Sequence, residues 1–453
     1  MTEQARDARR ALKEGPEGIA RRQRTRLAEA VAHARAHSPF YRDSYRDLPD
    51  RVDDPTLLPV TDKKILMSHF DDWVTDRAVT REKVEDFVAD PGLVGQRFQG
   101  RYLVATTSGT TGVRGLFVSD ERYAAVHLAL GARANGGLGL RGATRVLTHA
   151  GHTAVIAATG GHFYSAASTA RFRLDHPRLG RILRVFSINQ PLPDLVAELN
   201  DYNPASIAGF LSLLTNLADE QEAGRLRIRP AMVLPGGETV TDDARLRIAT
   251  AFGAAVRPAY MATECALLAF SCAEGWYHLN TDWVVAEPVD ADYRPVPPGE
   301  PSHTVLISNL ANRVQPVLRY DLGDSMLVRP DACPCGSPLP AMQVQGRAAD
   351  LVALPAADGG SVGLSPMLFG ALLDRVPGID RYQLVQTAPD KLRVRLQPKI
   401  GADGDQVWRT VREELSRLLA EHDVDGVSLE RGDEAPEQAS SGKVRRIIPL
   451  TTP

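Results

Sequence analysis

From Arg101 to Ser308 short apolar runs recur: "RYLVATTSG", "RVLTHA", "PASIAGF", "AMVLPGG", "AAVRPAY" and "HTVLIS". Between them lie helical stretches such as "LSLLTNLADEQEAG" and "TDDARLRIATAFG". Strand-sized runs joined through helices imply crossover connections, and crossovers set strands parallel. The expectation is an α/β fold, with mixed or parallel sheets and helices.

The chain has 453 residues, too many for one ordinary core. After "GRAADLV" the pattern changes to "MLFGALLDRV" (helix), "RYQLVQ" and "KLRVRLQ" (strands), a strongly amphipathic "QVWRTVREELSRLLAEH" and then "GVSLERG". A boundary near Gly346 divides a large domain, residues 1–345, from a small α+β domain, residues 346–453. Upstream, Ile19 to His37 reads as a helix that "SPFYRDSY" ends. "LLPVTDKKIL" reads as a loop and a helix start, with Thr61 or Asp62 as N-cap. Pro295 to Pro301 is a surface connection.

A net charge of -3 gives no reason to expect nucleic acid or an anionic membrane as partner. No apolar run is long enough to span a bilayer, and "MTEQARDARR" lacks the apolar core of a secretory leader. Four cysteines in so long a chain make no disulfide framework, so a cytoplasmic location is expected. Lysine is rare: none occurs between Lys83 and Lys391.

"TTSGTTG", Thr106 to Gly112, is all hydroxyls and glycines. Such a loop lets backbone N–H groups close on an oxyanion. By composition it is equally a flexible surface loop, and it is not the lysine-bearing G-x-x-x-x-G-K-[ST] loop. Its place in a series settles the choice. "TTSGTTG", "LPGGE", "YMATE", "RYDLGD", "GRAAD" and "SSGKVRR" follow one another in an order that resembles the adenylate-forming superfamily of acyl-CoA ligases and adenylation domains. "AHSPFYR", "LPVTDKKIL" and "CPCG" resemble its phenylacetate–CoA ligase branch. The likeness spans about Ala36 to Arg446.

The resemblance implies an ATP- and Mg2+-dependent enzyme that makes an acyl-adenylate and passes the acyl group to coenzyme A. An amine, a carrier protein or a small inorganic nucleophile is the alternative acceptor. A non-catalytic nucleotide-binding relative is a further one, which the intact motifs oppose. A homodimer is compatible with the reading. Thr107, Ser108, Gly109, Thr110, Thr111 and Gly112 would hold the β- and γ-phosphates, with Arg114 supplying charge near a loop that lacks the usual lysine. Gly236, Gly237 and Glu238 would lie along adenine, and Tyr260 would offer it an aromatic face. Thr263 falls at the α-phosphate and Glu264 at magnesium, a hard ion that prefers oxygen ligands. Asp324 matches the ribose-binding aspartate, Asp321 is structural, and Arg347 touches ribose or phosphate. The family's usual hinge aspartate or lysine aligns with Ala349, and Asp350 follows, so the pivot residue stays open. Lys443 would bridge carboxylate and α-phosphate.

For the acyl pocket the candidates are His149, His152, His162, Phe163 and Tyr164, near Ala262. Gly360 or Gly363 would line a pantetheine tunnel, although "ALPAADGGSVGLSP" is longer than the family's segment. Cys272, His278, Cys333 and Cys335 make a Cys₃His set, the composition of a closed structural Zn2+ site. The other reading is free thiols and a C-x-C turn.

Overall fold

A computed structural model of the protein describes residues 2–107, 114–134, 144, 146, 149, 151–238, 240–347, 352–356, 360–364, 366–437 and 445–450. Helices Glu3–Lys13 and Gly15–His37 open the chain. Ser38 ends the second and caps a short helix, Pro39–Ser44, so "SPFYRDSY" turns the chain by restarting a helix. Asp62 caps helix Lys63–Ser68 by accepting from the Ile65 N–H.

Strands β1 (Leu103–Thr106) and β2 (Leu116–Ser119) form an antiparallel pair around the glycine loop. Then comes the parallel sheet that the alternation predicts: β3 (Thr153–Ala157), β4 (Leu183–Ser187), β5 (Ser206–Phe210), β6 (Met232–Gly236) and β7 (Ala255–Val256). Its order is β4-β3-β5-β6-β7, every neighbour parallel. Helices Leu192–Tyr202, Leu211–Glu222 and Asp242–Phe252 supply the crossovers and bury Leu199, Leu214 and Ile248 against Ile156, Ile207 and Val233. Thr241 caps the last helix and Gly253, at φ +56°, ends it. Most of "RVLTHA" lies outside the described residues.

A second sheet is antiparallel. It combines β8 (Ala259–Ala262), β9 (Ala266–Ser271) and β10 (Tyr277–Leu279) with β14 (Asp324–Val328) and β15 (Ala341–Arg347). Between these, β11 (Val284–Val289), β12 (Thr304–Asn309) and β13 (Tyr320–Asp321) form their own sheet. "HTVLIS" is thus a strand, but in an antiparallel partnership. The strand Thr304–Asn309 is buried at every position, and such a run carries no sign of strand direction.

The C-terminal part is a smaller unit with its own core. Strands β16 (Val352–Pro355) and β17 (Ser361–Leu364) pair as a hairpin, and helix Pro366–Leu373 follows. β18 (Ile379–Ala388), β19 (Lys391–Pro398), β20 (Ser428–Gly432) and β21 (Ile447–Ile448) make a sheet ordered β20-β19-β18-β21. Helix Gly404–Glu421 lays Val407, Val411, Leu415 and Leu418 on a core that also holds Phe369 and Leu384. That core is separate from the two large ones of the preceding residues.

Candidate active site

In an open parallel sheet, ligands meet the carboxyl ends of the strands. Here Phe210 ends β5 and Gly236 ends β6. Gly237 turns the chain at φ +73°, and a Cβ on it would stand 2.5 Å from the Phe210 ring. Backbone therefore lies flat where any side chain would collide. The Glu238 carboxylate accepts from the Ser212 N–H at 2.7 Å and the Ser212 hydroxyl at 3.0 Å. It satisfies the first turn of helix Leu211–Glu222, whose donors have no partner within the helix.

Facing these, the Tyr260 hydroxyl donates to Asp324 Oδ2 at 2.6 Å, and Arg347 Nε donates to Asp324 Oδ1 at 3.1 Å. Burial, and then the Asp324 charge, push the Tyr260 phenol well above its ordinary pKa, so it stays a donor. An ionised carboxylate has about four acceptor sites, so Asp324 retains capacity for further donors. Gly237, Glu238, Tyr260, Asp324 and Arg347 line a single cavity of about 260 Å³. The small unit contributes Pro366, Gly370, Tyr382, Arg445 and Arg446 to the same cavity. A larger cavity of about 500 Å³ shares Tyr382 and Arg446 with it but contains none of the residues singled out for nucleotide. Size alone would point to the larger cavity; the smaller holds Gly237, Glu238, Tyr260, Asp324 and Arg347.

Glu264 is buried, and its Oε1 accepts from the Tyr320 hydroxyl at 3.2 Å and lies 3.8 Å from Lys63 Nζ. Lys63 was not singled out in the sequence. It arrives there because Thr61 is stitched alongside Tyr320: Thr61 N donates to Arg319 O at 2.9 Å and Asp321 N to Thr61 O at 2.7 Å. Asp321 accepts from the hydroxyls of Thr304 and Tyr293 and from the Gly323 N–H.

Thr263 and Glu264 adjoin Tyr123 and Tyr164 around a small void. Of the acyl-pocket candidates, Tyr164 therefore lies beside this motif. His152 instead stacks on Tyr202 at 4.7 Å, and Phe163 packs on the parallel-sheet core. His162 is buried with Nε2 at 3.1 Å from Asp90 O. His127, which sequence reading passed over, meets Tyr164 edge to face at 5.5 Å. Its Nδ1 is sealed from solvent without a partner, and burial pushes its pKa down to about 4.

At the glycine loop, Thr107 Oγ1 accepts from the Gly115 N–H at 2.9 Å. Arg114 is exposed, with Nη2 at 3.5 Å from Thr106 Oγ1. Ser108, Gly109, Thr110, Thr111, Gly112, Ala349, Asp350 and Lys443 lie outside the described residues.

The cysteine set does come together. Cys272 follows β9, His278 sits in β10, and Cys333 and Cys335 lie in the β14–β15 connection. Since β9, β10, β15 and β14 are successive neighbours, the sheet joins halves that are distant in sequence. The four ligand atoms all lie within 4.8 Å of one another. Cys272 Sγ is 3.8 Å from Cys333 Sγ, and His278 Nε2 is 3.1 Å from Cys335 Sγ. His278 Nδ1 lies 3.0 Å from Leu339 O; donating there leaves the Nε2 lone pair facing the sulfurs.

Among the described residues no helix is long and apolar enough to cross a membrane. No family model matches the sequence, and no curated protein matches it. Solved structures do match. 2-Hydroxyisobutyryl-CoA ligase in the postadenylation state, in complex with R3-HIB-AMP, superposes with a TM-score of 0.70 at 22% identity, covering 96% of this chain and 89% of that one. The same ligase in the thioesterification state, with 2-HIB-AMP and CoA, gives 0.56 at 22% identity over the same shares. A benzoate CoA ligase from Burkholderia xenovorans LB400 gives 0.52 at 16% identity, covering 76% of this chain and 67% of that one. The chain has the fold of these CoA ligases, a large unit followed by a small C-terminal one.

Proposed function

We propose that the protein is an ATP- and magnesium-dependent ligase that activates a carboxylic acid as its acyl-adenylate and then transfers the acyl group to coenzyme A. One observation carries the reading: Gly237, Glu238, Tyr260, Asp324 and Arg347, drawn from four distant motifs, line a single cavity between the two units. The solved 2-hydroxyisobutyryl-CoA ligase of the same fold supports it, in complex with R3-HIB-AMP and with 2-HIB-AMP and CoA.

In the first step a carboxylate oxygen of the acid attacks the α-phosphorus. The bond to the pyrophosphate oxygen breaks, and pyrophosphate leaves. Adenine lies along Gly236 and Gly237, with Tyr260 at its face. The ribose hydroxyls donate to Asp324, which Tyr260 and Arg347 hold in place. Glu264 supplies a hard oxygen ligand for magnesium, the ion that would offset triphosphate charge. Thr263 and the loop Thr107 to Gly112 hold phosphate oxygens. Lys63 adds a cation beside Glu264, in a site whose glycine loop has no lysine. Lys443 reaches in from the small domain to neutralise charge in the transition state. Residues 1–345 and 346–453 are the two domains, with β15 finishing at Arg347 just past the boundary.

In the second step the thiol displaces AMP. Gly360 and Gly363, at the β16–β17 hairpin, are the candidates for the tunnel edge. Zinc fits the Cys₃His set as a structural ion. A tetrahedron with 2.3 Å arms has edges of roughly 3.8 Å, and the Cys272–Cys333 spacing agrees.

The test is ATP-dependent pyrophosphate release with 2-hydroxyisobutyrate, anthranilate, benzoate and aliphatic acids, with and without coenzyme A. Release with at least one acid, and a thioester product, are expected. Release without thioester moves the second step to an amine, a carrier protein or a small nucleophile. No release with any acid overturns the reading.

A further inference from the structure

Two side chains at the end of helix Pro366–Leu373 reach across to the start of helix Asp242–Phe252. Asp374 Oδ2 accepts from the Thr241 hydroxyl at 3.0 Å, and Arg375 Nε meets Asp243 Oδ2 at 2.5 Å. These contacts differ in kind. Arg375 and Asp243 are 69% and 40% exposed, where an ion pair is screened and contributes little. Asp374 is 14% exposed, and it anchors a network. Its Oδ1 accepts from Arg446 Nη1 at 2.7 Å and from the Tyr382 hydroxyl at 3.0 Å.

The network leads to functional ground on both sides. Thr241 lies three residues beyond Glu238, on the loop that edges the nucleotide cavity. Arg446 begins the run into β21; its carbonyl accepts from the Leu384 N–H at 2.8 Å. Lys443 precedes it by three residues in the sequence. One carboxylate thus joins the adenine loop of the large unit to the chain that carries the candidate catalytic lysine.

The bond across the junction can also break cleanly. Without Thr241, Asp374 keeps Arg446 and Tyr382, so no buried charge is stranded. Without Asp374, Thr241 still caps its helix through the Ala244 N–H. The contact can therefore form or part without stranding a charge on either side.

We propose that Asp374 is a positioning residue for adenylation, latching the small unit to Thr241 at the edge of the nucleotide cavity. The inference rests on the adenylation reading above.

The test uses the full chain and an acid that the wild type turns over. In Thr241→Val and Asp374→Asn, kcat for pyrophosphate release should fall about tenfold with KM for ATP little changed. Transfer from supplied acyl-adenylate to coenzyme A should run at the wild-type rate or faster. Thr241→Ser, which keeps the hydroxyl, should restore release, and Arg375→Ala should leave it unchanged. Should Asp374→Asn not fold, with Arg446 left short of its partner, Thr241→Val decides alone. Equal loss in both half-reactions, a rise in KM alone, or unaltered release in Thr241→Val overturns the latch. A wild type that releases no pyrophosphate with any acid overturns the adenylation reading, and the latch with it.

Discussion

Tyr260, Asp324 and Arg347 form one polar cluster, and Cys272, His278, Cys333 and Cys335 form another, and a single five-stranded sheet supplies both. In the first, each group has a partner and the carboxylate has acceptor sites to spare; the cluster faces a cavity whose far wall belongs to another unit. In the second, the ligand atoms converge on each other, and the Leu339 carbonyl fixes the His278 ring. A site that must load and release a ligand leaves capacity unused. A site that holds an ion for good uses all of it. Substitutions should therefore separate the two: chemistry lost at constant stability for the first, stability lost at constant chemistry for the second.

The largest effect is expected at Lys443. Lys443→Ala should cut adenylate formation by about a thousandfold, yet still transfer the acyl group of supplied adenylate to coenzyme A. Normal pyrophosphate release would remove the lysine from the mechanism. Asp324→Asn comes next. It weakens both the ribose acceptor and the partner of Arg347, and kcat/KM for ATP should drop about a hundredfold with the melting temperature within a few degrees of wild type. A large loss of stability would place Asp324 with the structural groups.

At the other cluster, elemental analysis should find one zinc per chain. Cys335→Ser should lower the melting temperature by several degrees and leave adenylation by the folded fraction unchanged. A metal-free, stably folded preparation would make the cysteines ordinary thiols. Gly237→Ala pushes a methyl into the Phe210 ring at a left-handed φ and should raise KM for ATP about tenfold; an unaltered KM would mean that adenine lies elsewhere. The smallest effect is Tyr260→Phe. It removes one hydrogen bond to Asp324, about 1 kcal/mol or roughly a fivefold rise in KM for ATP.

How much of this was legible in the sequence depends on range. The parallel sheet was readable because each crossover is local: Thr241, the apolar stripe and Gly253 announce one helix within thirteen positions. The motif series located Gly237, Tyr260, Asp324 and Arg347, and folding collects them. Lys63 was not readable. It reaches Glu264 only because Thr61 pairs with Tyr320 across more than 250 residues, and no local pattern encodes that pairing. His127 sits on an ordinary amphipathic helix, Glu121–Ala134, and its sealed nitrogen is visible only once Tyr164 packs beside it. The motif places Glu238 on the adenine loop, but the engagement of its carboxylate with Ser212 is one that sequence spacing cannot show.

The ammonium of Lys63 near Glu264 bears on the order in which ligands arrive. A carboxylate already balanced by a cation 3.8 Å away has little pull on a free divalent ion. A triphosphate brings the negative charge that Glu264 and Lys63 together lack. On the adenylating reading, magnesium then enters as the nucleotide's companion rather than ahead of it. Calorimetry with magnesium alone would show weak uptake, and Lys63→Ala would strengthen it.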